Sequence, residues 1–176
     1  MSDVEAIDMY LSQTELSYED IKQEIIKLLH KQRNGVLATS EGDNVTARTV
    51  LLFYDGLTIY CFTSNYTRKY KQIIANPNVA IVCGNIQIEG IAKLKGHPLD
   101  EENSNFIRLH QEQNPEYYKI SENIIFKRST PRVIEITPKR VARWITGGQI
   151  DILDVSKESA YRVGYYNLEN SPAYSG

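Results

Sequence analysis

A short predicted helix within residues 61–73, CFTSNYTRKYKQI, begins with cations where acidic residues are normally found. Arg68 and Lys69 fall in its first turns, and no acid precedes the Asn-Pro pair at 76–77 that ends it. Because a helix N-terminus carries partial positive charge, these cations repel the helix dipole and one another unless an anion binds between them. The pattern indicates either a phosphate-type anion site or an ordinary solvated basic face.

A predicted β-hairpin brings further polar residues to the start of this helix. Strands at 45–54 and 57–63 flank an Asp-Gly turn signal at 55–56. With these two residues as the turn, and with no bulge, Arg48 lies opposite Thr63 at the polar end of an apolar face. The predicted anion site then contains two hydroxyl groups and three cations: Thr63, Ser64, Arg48, Arg68 and Lys69.

The remaining segments predict the elements that must position this site. Residues 18–33 have the period of an amphipathic helix that Ser17 caps, and residues 99–113 predict a second helix. Other strands are predicted at 35–40, 78–83, 85–96 and 132–145, the last as a strand pair or one bent strand. The continuous apolar run at 78–83 predicts burial on both faces. Strands in hairpin order with helical interruptions predict a mainly β fold, an antiparallel β-barrel with helical insertions.

The composition is typical of a soluble globular protein. The chain has 176 residues, of which 41% are hydrophobic and 24% are charged, with a net charge of -2. It lacks the basic field of nucleic-acid-binding proteins. The acidic start has no signal-peptide stretch, and no run approaches the roughly 18 apolar residues that span a membrane. We therefore expect a cytoplasmic protein with neither nucleic-acid nor membrane partners.

Neither repeats nor linkers divide the chain into several domains. We expect an N-terminal tail at 1–17, one barrel domain at 18–148 and a C-terminal extension at 149–176 with a flexible end. Cys61 and Cys83 lie in apolar strand-like runs, which favours buried thiols over a disulfide. The three histidines lack the spacing of metal ligands, so no metal site is predicted, and His110 is expected at the surface or partly buried.

Five motifs, in order along the chain, resemble those of the pyridoxamine 5'-phosphate oxidase family. They are RTVLLF at 48–53, FTSNYTRKYKQI at 62–73, NPNVAI at 76–81, IQIEGIAKL at 86–94 and ITPKRVARWITGG at 136–148. The resemblance implies an antiparallel split β-barrel that forms a homodimer, with FMN bound in clefts between the subunits. The same resemblance favours the anion site over the solvated basic face.

Site residues follow from the resemblance by position. Arg48, Arg68 and Lys69 would contact the FMN phosphate, with Thr63 and Ser64 as hydroxyl or backbone donors. Further FMN contacts are implied along the ribityl chain and the flavin: Thr49, Val50, Asn85 and Trp144, with Gln87 in place of Asn85 if the register slips. Trp144 would close over the flavin from the partner subunit, or else it is an aromatic side chain that plugs a barrel end.

The sequence departs from the family where the vitamin-processing enzymes bind their substrate. Those enzymes have lysine at the position of Phe53, and arginine and histidine at the positions of Ile150 and Ile152. Their flavin-side arginine corresponds to Asp154. The chain therefore resembles the general-stress-protein branch of the family, and we expect no oxidation of pyridoxamine phosphate.

Three functional hypotheses remain open at this point. The first is an FMN-dependent oxidoreductase that acts on an unknown small-molecule substrate or electron donor, with the cofactor supplying the redox chemistry. The second is a non-enzymatic flavin-binding stress protein. The third is the same barrel with haem or a deazaflavin as its ligand.

Overall fold

Residues 11–165, which the computed structural model describes, form an antiparallel β fold with few helices. The strands are β1 (Leu11–Leu16), β2 (Asn34–Glu41), β3 (Asn44–Leu51), β4 (Phe53–Asp55), β5 (Thr58–Ser64), β6 (Asn78–Cys83), β7 (Ile86–Leu94), β8 (Pro131–Trp144), β9 (Ile150–Asp154) and β10 (Ser159–Tyr165). The α-helices are α1 (Tyr18–Leu29), α2 (Arg68–Ala75), α3 (Ser104–Gln113) and α4 (Pro115–Ile120), the last followed by a π-helical turn at Ser121–Ile125.

The sheet follows the order β1-β10-β9-β8-β7-β6-β2-β3, and β5 connects β8 to β4. Strand β8 is the single bent strand of the two alternatives, 14 residues long. It pairs with β5 along Pro131–Ile136, with β9 along Arg140–Trp144, and with β7 on its other edge. Because one long strand serves two neighbours on the same edge, the sheet curls into the predicted antiparallel split β-barrel with helical insertions.

The hairpin turn lies one residue later than the sequence predicts. Asp55 pairs with Thr58, and Gly56 occupies the left-handed region at φ 58°. Since the pairing shifts by two residues, an even number, every side chain keeps its predicted face. The side chains of that face are buried in the barrel: Val50, Leu52, Tyr54, Ile59, Cys61 and Thr63.

The predicted cross-strand partner of Arg48 is wrong for a second reason. The chain changes partners at Leu52, whose N–H donates to the Arg33 carbonyl (2.9 Å). Strand β3 therefore pairs with β2, and only the short β4 pairs with β5. Arg48 lies opposite Leu37, whereas Thr63 pairs with β8.

The main core lies between the inner sheet face and helix α1. Ile21, Ile25 and Leu29 recur every fourth residue along α1 and are buried against the barrel. Ser17 caps this helix as predicted, its Oγ accepting from the Asp20 N–H (3.4 Å). The free thiols Cys61 and Cys83 are both buried, in agreement with the prediction.

A second core lies outside the barrel, under α3 and α4. Phe106 and Leu109 of α3 pack against Phe53, Val133 and Phe126. The rings of Phe53 and Phe106 meet edge to face, with centroids 5.5 Å apart. The predicted second helix is thus a short 3-10 turn at Glu101–Asn103 followed by α3, and it covers the outside of the β4–β5–β8 region.

The prediction that β6 is buried on both faces is wrong for this chain. Val79, Ile81 and Cys83 point into the barrel, but Val82 on the other face is 46% exposed. Its cross-strand neighbour Val36 is 41% exposed. The barrel supplies cover for only one side of the strand, so an apolar outer face remains open.

The ends of the described region belong to the same sheet. Strand β1, within the predicted tail, pairs along its full length with β10, which lies in the predicted C-terminal extension. The division of the chain at residues 17 and 148 stays a prediction, and the predicted flexible end lies outside the described residues. Between residues 11 and 165, no helix has both the length and the apolar character needed to cross a bilayer.

Candidate anion-binding site

The segment between β5 and α2 places hydroxyl and amide groups at the start of the cationic helix. Thr67 is the N-cap residue, and its Oγ1 donates to the Ser64 carbonyl (2.9 Å) and lies 2.9 Å from Thr63 Oγ1. The first N–H bonded along the helix is that of Lys71, to the Thr67 carbonyl (3.2 Å). The N–H groups of residues 68–70 therefore point out of the helix start, as donors available to a ligand.

Three cations gather around this helix start. Arg68 is exposed, Lys69 is half-buried, and Arg48 approaches from β3. Burial lowers the pKa of Arg48, and the charge of Arg68 lowers it further. Burial is also the main cause of the lowered pKa of Lys69, to which the charge of Arg48 contributes. The structure brings these residues together through the β2–β3 hairpin rather than through the predicted one.

None of these cations is neutralised by a carboxylate in the described part of the chain. The ion pairs formed between residues 11 and 165 include neither Arg48 nor Arg68 nor Lys69. Partly buried like charges without a counter-charge destabilise one another. Such an arrangement, with free helix N–H groups and hydroxyls beside it, fits an anion that carries more than one negative charge.

Arg48 is held in place by neutral acceptors. Its Nη1 donates to the Leu37 carbonyl (3.1 Å) and to Thr39 Oγ1 (2.6 Å). Its Nη2 donates to Thr46 Oγ1 and lies 3.4 Å from Gln72 Oε1. These contacts orient the guanidinium and leave its positive charge uncompensated.

Thr39, Thr46 and Gln72 were not predicted as site residues. A signal for the threonines was present, because a turn at the EGDN segment sets Thr39 opposite Thr46 on the same face as Arg48. Gln72 lies four residues after Arg68, on the same side of α2. Either signal identifies a site residue only if the β2–β3 hairpin is known to pack against α2. Sequence spacing does not reveal that contact.

Two predicted flavin contacts lie on the opposite face of the sheet from Arg48. Thr49 is exposed on the outer face of β3, and Gln87 is partly buried on the outer face of β7. Between them the cross-strand pairs form one row, Thr49–Val36–Val82–Gln87. The row crosses the open apolar face. Val50, the neighbour of Thr49, is buried inside the barrel instead.

Asn85 and Trp144 form a hydrogen-bonded pair where β7 begins and β8 ends. Asn85 Nδ2 donates to the Trp144 carbonyl (2.5 Å), and the Trp144 N–H donates to the Asn85 carbonyl (3.0 Å). Trp144 is 43% exposed, so its ring does not plug the barrel in this chain. The indole is free to contact a ligand or a second subunit.

The positions that differ from the vitamin-processing enzymes offer no free cation among the described residues. Phe53 is buried in the second core, and Ile152 is buried in the sheet. The arginines nearest in sequence to Ile150 and Ile152 are Arg143 and Arg162, and both are paired with the fully buried carboxylate of Asp151 (2.5 and 2.6 Å). Lys157 is paired with Asp154 (3.2 Å). A second phosphate would meet apolar side chains or compensated charges at these positions.

The expectation for His110 is wrong. Its side chain is fully buried in the second core, and neither ring nitrogen has a hydrogen-bond partner. Six aromatic rings surround it: Phe53, Phe62, Phe106, Tyr117, Tyr118 and Phe126. Burial lowers its pKa to about 4, so the ring is neutral. A histidine on an otherwise amphipathic helix does not reveal which neighbours will cover it.

An open cleft of about 340 Å³ lies on the outer face of the sheet. Its lining includes Ala38, Val45, Ala80, Glu89 and Lys139, and none of the predicted phosphate ligands. The position of the unpaired cations, rather than this cleft, therefore defines the candidate site. The cleft adjoins the same open face as Val36 and Val82.

Sequence comparison places the chain in a family that fits this geometry. The pyridoxamine 5'-phosphate oxidase profile matches residues 21–145, which include both the cation cluster and Trp144. General stress protein 26 of Bacillus subtilis (strain 168) is 41% identical over 69 residues. That match covers 39% of this chain and 49% of the relative, so the chain spans about half the length of this curated relative.

Solved structures share the fold. General Stress Protein 26 from Bacillus anthracis str. Sterne matches with a TM-score of 0.55 and 22% identity, over 69% of this chain and 91% of that one. HutZ, the haem storage protein from Vibrio cholerae, matches with a TM-score of 0.55 and 13% identity, over 66% and 88% of the two chains. With the profile match over most of its length, this chain belongs to the pyridoxamine 5'-phosphate oxidase family.

Proposed function

We propose that the protein binds FMN and is an FMN-dependent oxidoreductase with a small-molecule substrate or electron donor. The observation that carries the proposal is the cluster of Arg48, Arg68 and Lys69, which has no carboxylate partner among residues 11–165. A phosphate monoester dianion supplies the missing charge and accepts from the free N–H groups of residues 68–70. The donor set therefore fits the phosphate end of FMN.

The remaining residues have roles that follow from their positions. Lys69 and Arg68 would contact the phosphate together with Thr63 and Ser64. Arg48 would add positive charge from strand β3. FMN, when bound, supplies hydride and electron transfer at its ring system. The chain itself binds the phosphate, orients the cofactor and excludes water from the ring.

The flavin ring would lie at the boundary between two subunits. Thr49, Gln87, Asn85 and Trp144 are separated from the cation cluster in the single chain, by the sheet or along its edge. A homodimer supports one composite site, since the open apolar row at Val36 and Val82 becomes buried when a second copy packs on it. Light scattering on FMN-loaded protein tests this: we expect a dimer, and a monomer with full FMN occupancy contradicts the shared site.

The substrate is not expected to be pyridoxine or pyridoxamine phosphate. Its second dianion would be buried beside Phe53, Ile150 and Ile152, which neither neutralise it nor donate hydrogen bonds, and an uncompensated buried charge costs several kcal/mol. Pyridoxal phosphate formation under air by FMN-loaded protein measures this directly. We expect no meaningful turnover, and about 1 per second or faster would show that other cations reach the substrate.

A non-enzymatic flavin-binding stress protein is the alternative that one observation favours. Asp151 forms ion pairs with Arg143 and Arg162, the arginines nearest in sequence to the family's substrate positions. The described part of the chain therefore presents no free charged group there to hold a substrate. Turnover of NADH or NADPH by the loaded protein separates the two functions. The absorption spectrum of the purified protein separates both from a haem or deazaflavin ligand in the same barrel.

The direct test of the proposal is the cofactor carried by the purified protein. We expect a yellow protein that releases FMN on denaturation. Release of haem, or of a deazaflavin, would overturn the choice of cofactor. Protein isolated without cofactor is titrated with FMN, and absence of binding would overturn the proposal itself.

A further inference from the structure

We propose that Gln72 is a positioning residue that keeps the charge of Arg48 available to the cofactor phosphate, an inference that rests on the proposed FMN site. The juxtaposition behind it is a buried amide at the point where three donors converge. Gln72 is 1% exposed, and its Oε1 accepts from Thr39 Oγ1 (2.6 Å) and Thr46 Oγ1 (2.7 Å). The same oxygen lies 3.4 Å from Arg48 Nη2.

Gln72 sets the direction of both threonine hydroxyls. Each hydroxyl has one hydrogen, and each donates it to Gln72 Oε1, so the oxygen lone pairs remain for Arg48. Arg48 donates to both of these oxygens. The amide thus orients the two hydroxyl oxygens that accept from the guanidinium, while its own contact with Arg48 is long (3.4 Å).

The amide orientation is fixed from its other side. Gln72 Nε2 donates to the Asn44 carbonyl (3.2 Å) at the β2–β3 turn. A flipped amide would place the NH₂ group against two hydroxyls and a guanidinium, and a carbonyl against a carbonyl. Since only one orientation satisfies every group, Oε1 must face Arg48.

Neutrality is the property that glutamine contributes. A glutamate has nearly the same shape, but its carboxylate would form a buried ion pair with Arg48 and cancel one of the site's charges. With glutamine, Arg48 is oriented by neutral oxygens and remains a net cation beside Lys69 and Arg68. Gln72 also lies on α2 itself, so it couples the helix that carries two of the cations to the strand that carries the third.

The test is the ratio of FMN to riboflavin affinity, because only FMN has the phosphate. For Gln72→Glu we expect this ratio to fall about tenfold or more, with riboflavin affinity unchanged. Gln72→Met, which removes the acceptor without adding charge, is expected to lower the ratio by a smaller factor. The control is Gln13→Glu, which adds the same charge on exposed strand β1, at the opposite end of the strand order from β3.

The outcomes that overturn the inference differ from the outcome that rejects the proposed function. An unchanged ratio in Gln72→Glu, including the case in which both affinities fall by the same factor, contradicts the positioning role. If Gln72→Glu does not fold, as judged by circular dichroism, Thr46→Val replaces it, since Thr46 is only partly buried. A ratio that Thr46→Val leaves unchanged contradicts the role equally. Wild-type protein that binds FMN and riboflavin alike rejects the FMN site before any variant is made.

Discussion

Two clusters of basic residues in this barrel have opposite electrostatic character. Arg143 and Arg162 lie against the fully buried Asp151, and Arg143 also pairs with Glu24 of α1 (2.7 Å). Arg48, Arg68 and Lys69 have no carboxylate partner among the described residues. The first cluster links α1 to β8, β9 and β10, and the second is completed only by an anion. Ion pairing with a carboxylate therefore distinguishes the cations that stabilise the fold from the cations that are available to a ligand.

The largest expected effect comes from breaking the paired cluster, which consists of Arg143, Arg162 and their partner Asp151. Asp151→Ala leaves two arginines without their buried counter-charge, which should lower the free energy of unfolding by about 3–5 kcal/mol. Urea denaturation of cofactor-free protein measures it. Asp154→Ala on the same strand is the control, since its partner Lys157 is exposed and the loss should be much smaller than for Asp151→Ala. Equal losses in both variants would contradict the structural role of Asp151.

The paired cluster also predicts an acid dependence. Burial alone would raise the pKa of Asp151, but hydrogen bonds from Arg162 and Arg143 hold it below its ordinary value of 3.8. A carboxyl group with a lowered folded-state pKa stabilises the fold above its unfolded-state pKa, and that stability is lost as the pH falls through the folded-state pKa. Asp151→Asn should therefore remove stability at neutral pH and flatten the pH profile below about 4. A profile parallel to wild type would contradict this.

His110 extends the comparison to a buried group with neither counter-charge nor ligand. Its pKa is lowered from 6.5 to about 4 by burial, so the unfolded chain binds a proton that the folded chain does not. Stability should fall as the pH drops from 6.5 towards 4, by roughly 3 kcal/mol at most. His110→Phe is expected to lose this dependence, whereas His30→Gln, at an exposed position, should keep it. Unfolding midpoints measured across this range decide the matter.

Removing one cation from the unpaired cluster should affect binding rather than folding. Lys69→Ala loses a charge-assisted contact of about 1.5–3 kcal/mol, which corresponds to roughly tenfold or more in FMN affinity. Lys71→Ala is the control, because Lys71 is exposed on the same helix. Titration calorimetry compares the two variants, and equal losses would mean that Lys69 acts as a general surface charge.

The smallest expected effect is on the unfolding free energy of the cofactor-free protein when one cation of the unpaired cluster is neutralised. Lys69→Met relieves repulsion from Arg48 and keeps most of the buried alkyl chain, so unfolding free energy should stay constant or rise by about 0.5 kcal/mol. Thermal unfolding without FMN measures the change. A clear loss of stability would place Lys69 with the structural cations, next to Asp151 and its partners.

Much of the fold follows from the sequence because its signals are local. The cap at Ser17 and the apolar period of α1 both depend on neighbouring residues, and both were predicted. The hairpin register failed at Leu52, where a hydrogen bond to Arg33 lets the chain change partners. No local pattern encodes that choice, since both faces keep their polarity under either pairing.

The candidate site likewise has features that the local sequence predicts and features that depend on contacts between distant segments. The cations of α2 conflict with the helix dipole, and that conflict is visible in the sequence as an anion signal. Gln72 and the burial of His110 depend on contacts between distant segments, so spacing alone does not reveal them. The open face at Val36 and Val82 was missed because an apolar run predicts burial without identifying what provides the cover.

The central claim is that the unpaired cations recognise a phosphate. Titration calorimetry of cofactor-free wild-type protein with FMN and with riboflavin tests it most directly, because the two ligands differ only in that group. We predict that FMN binds at least about tenfold more tightly, and that the difference shrinks as salt screens the cluster. Equal affinity for the two ligands at low salt would contradict the account.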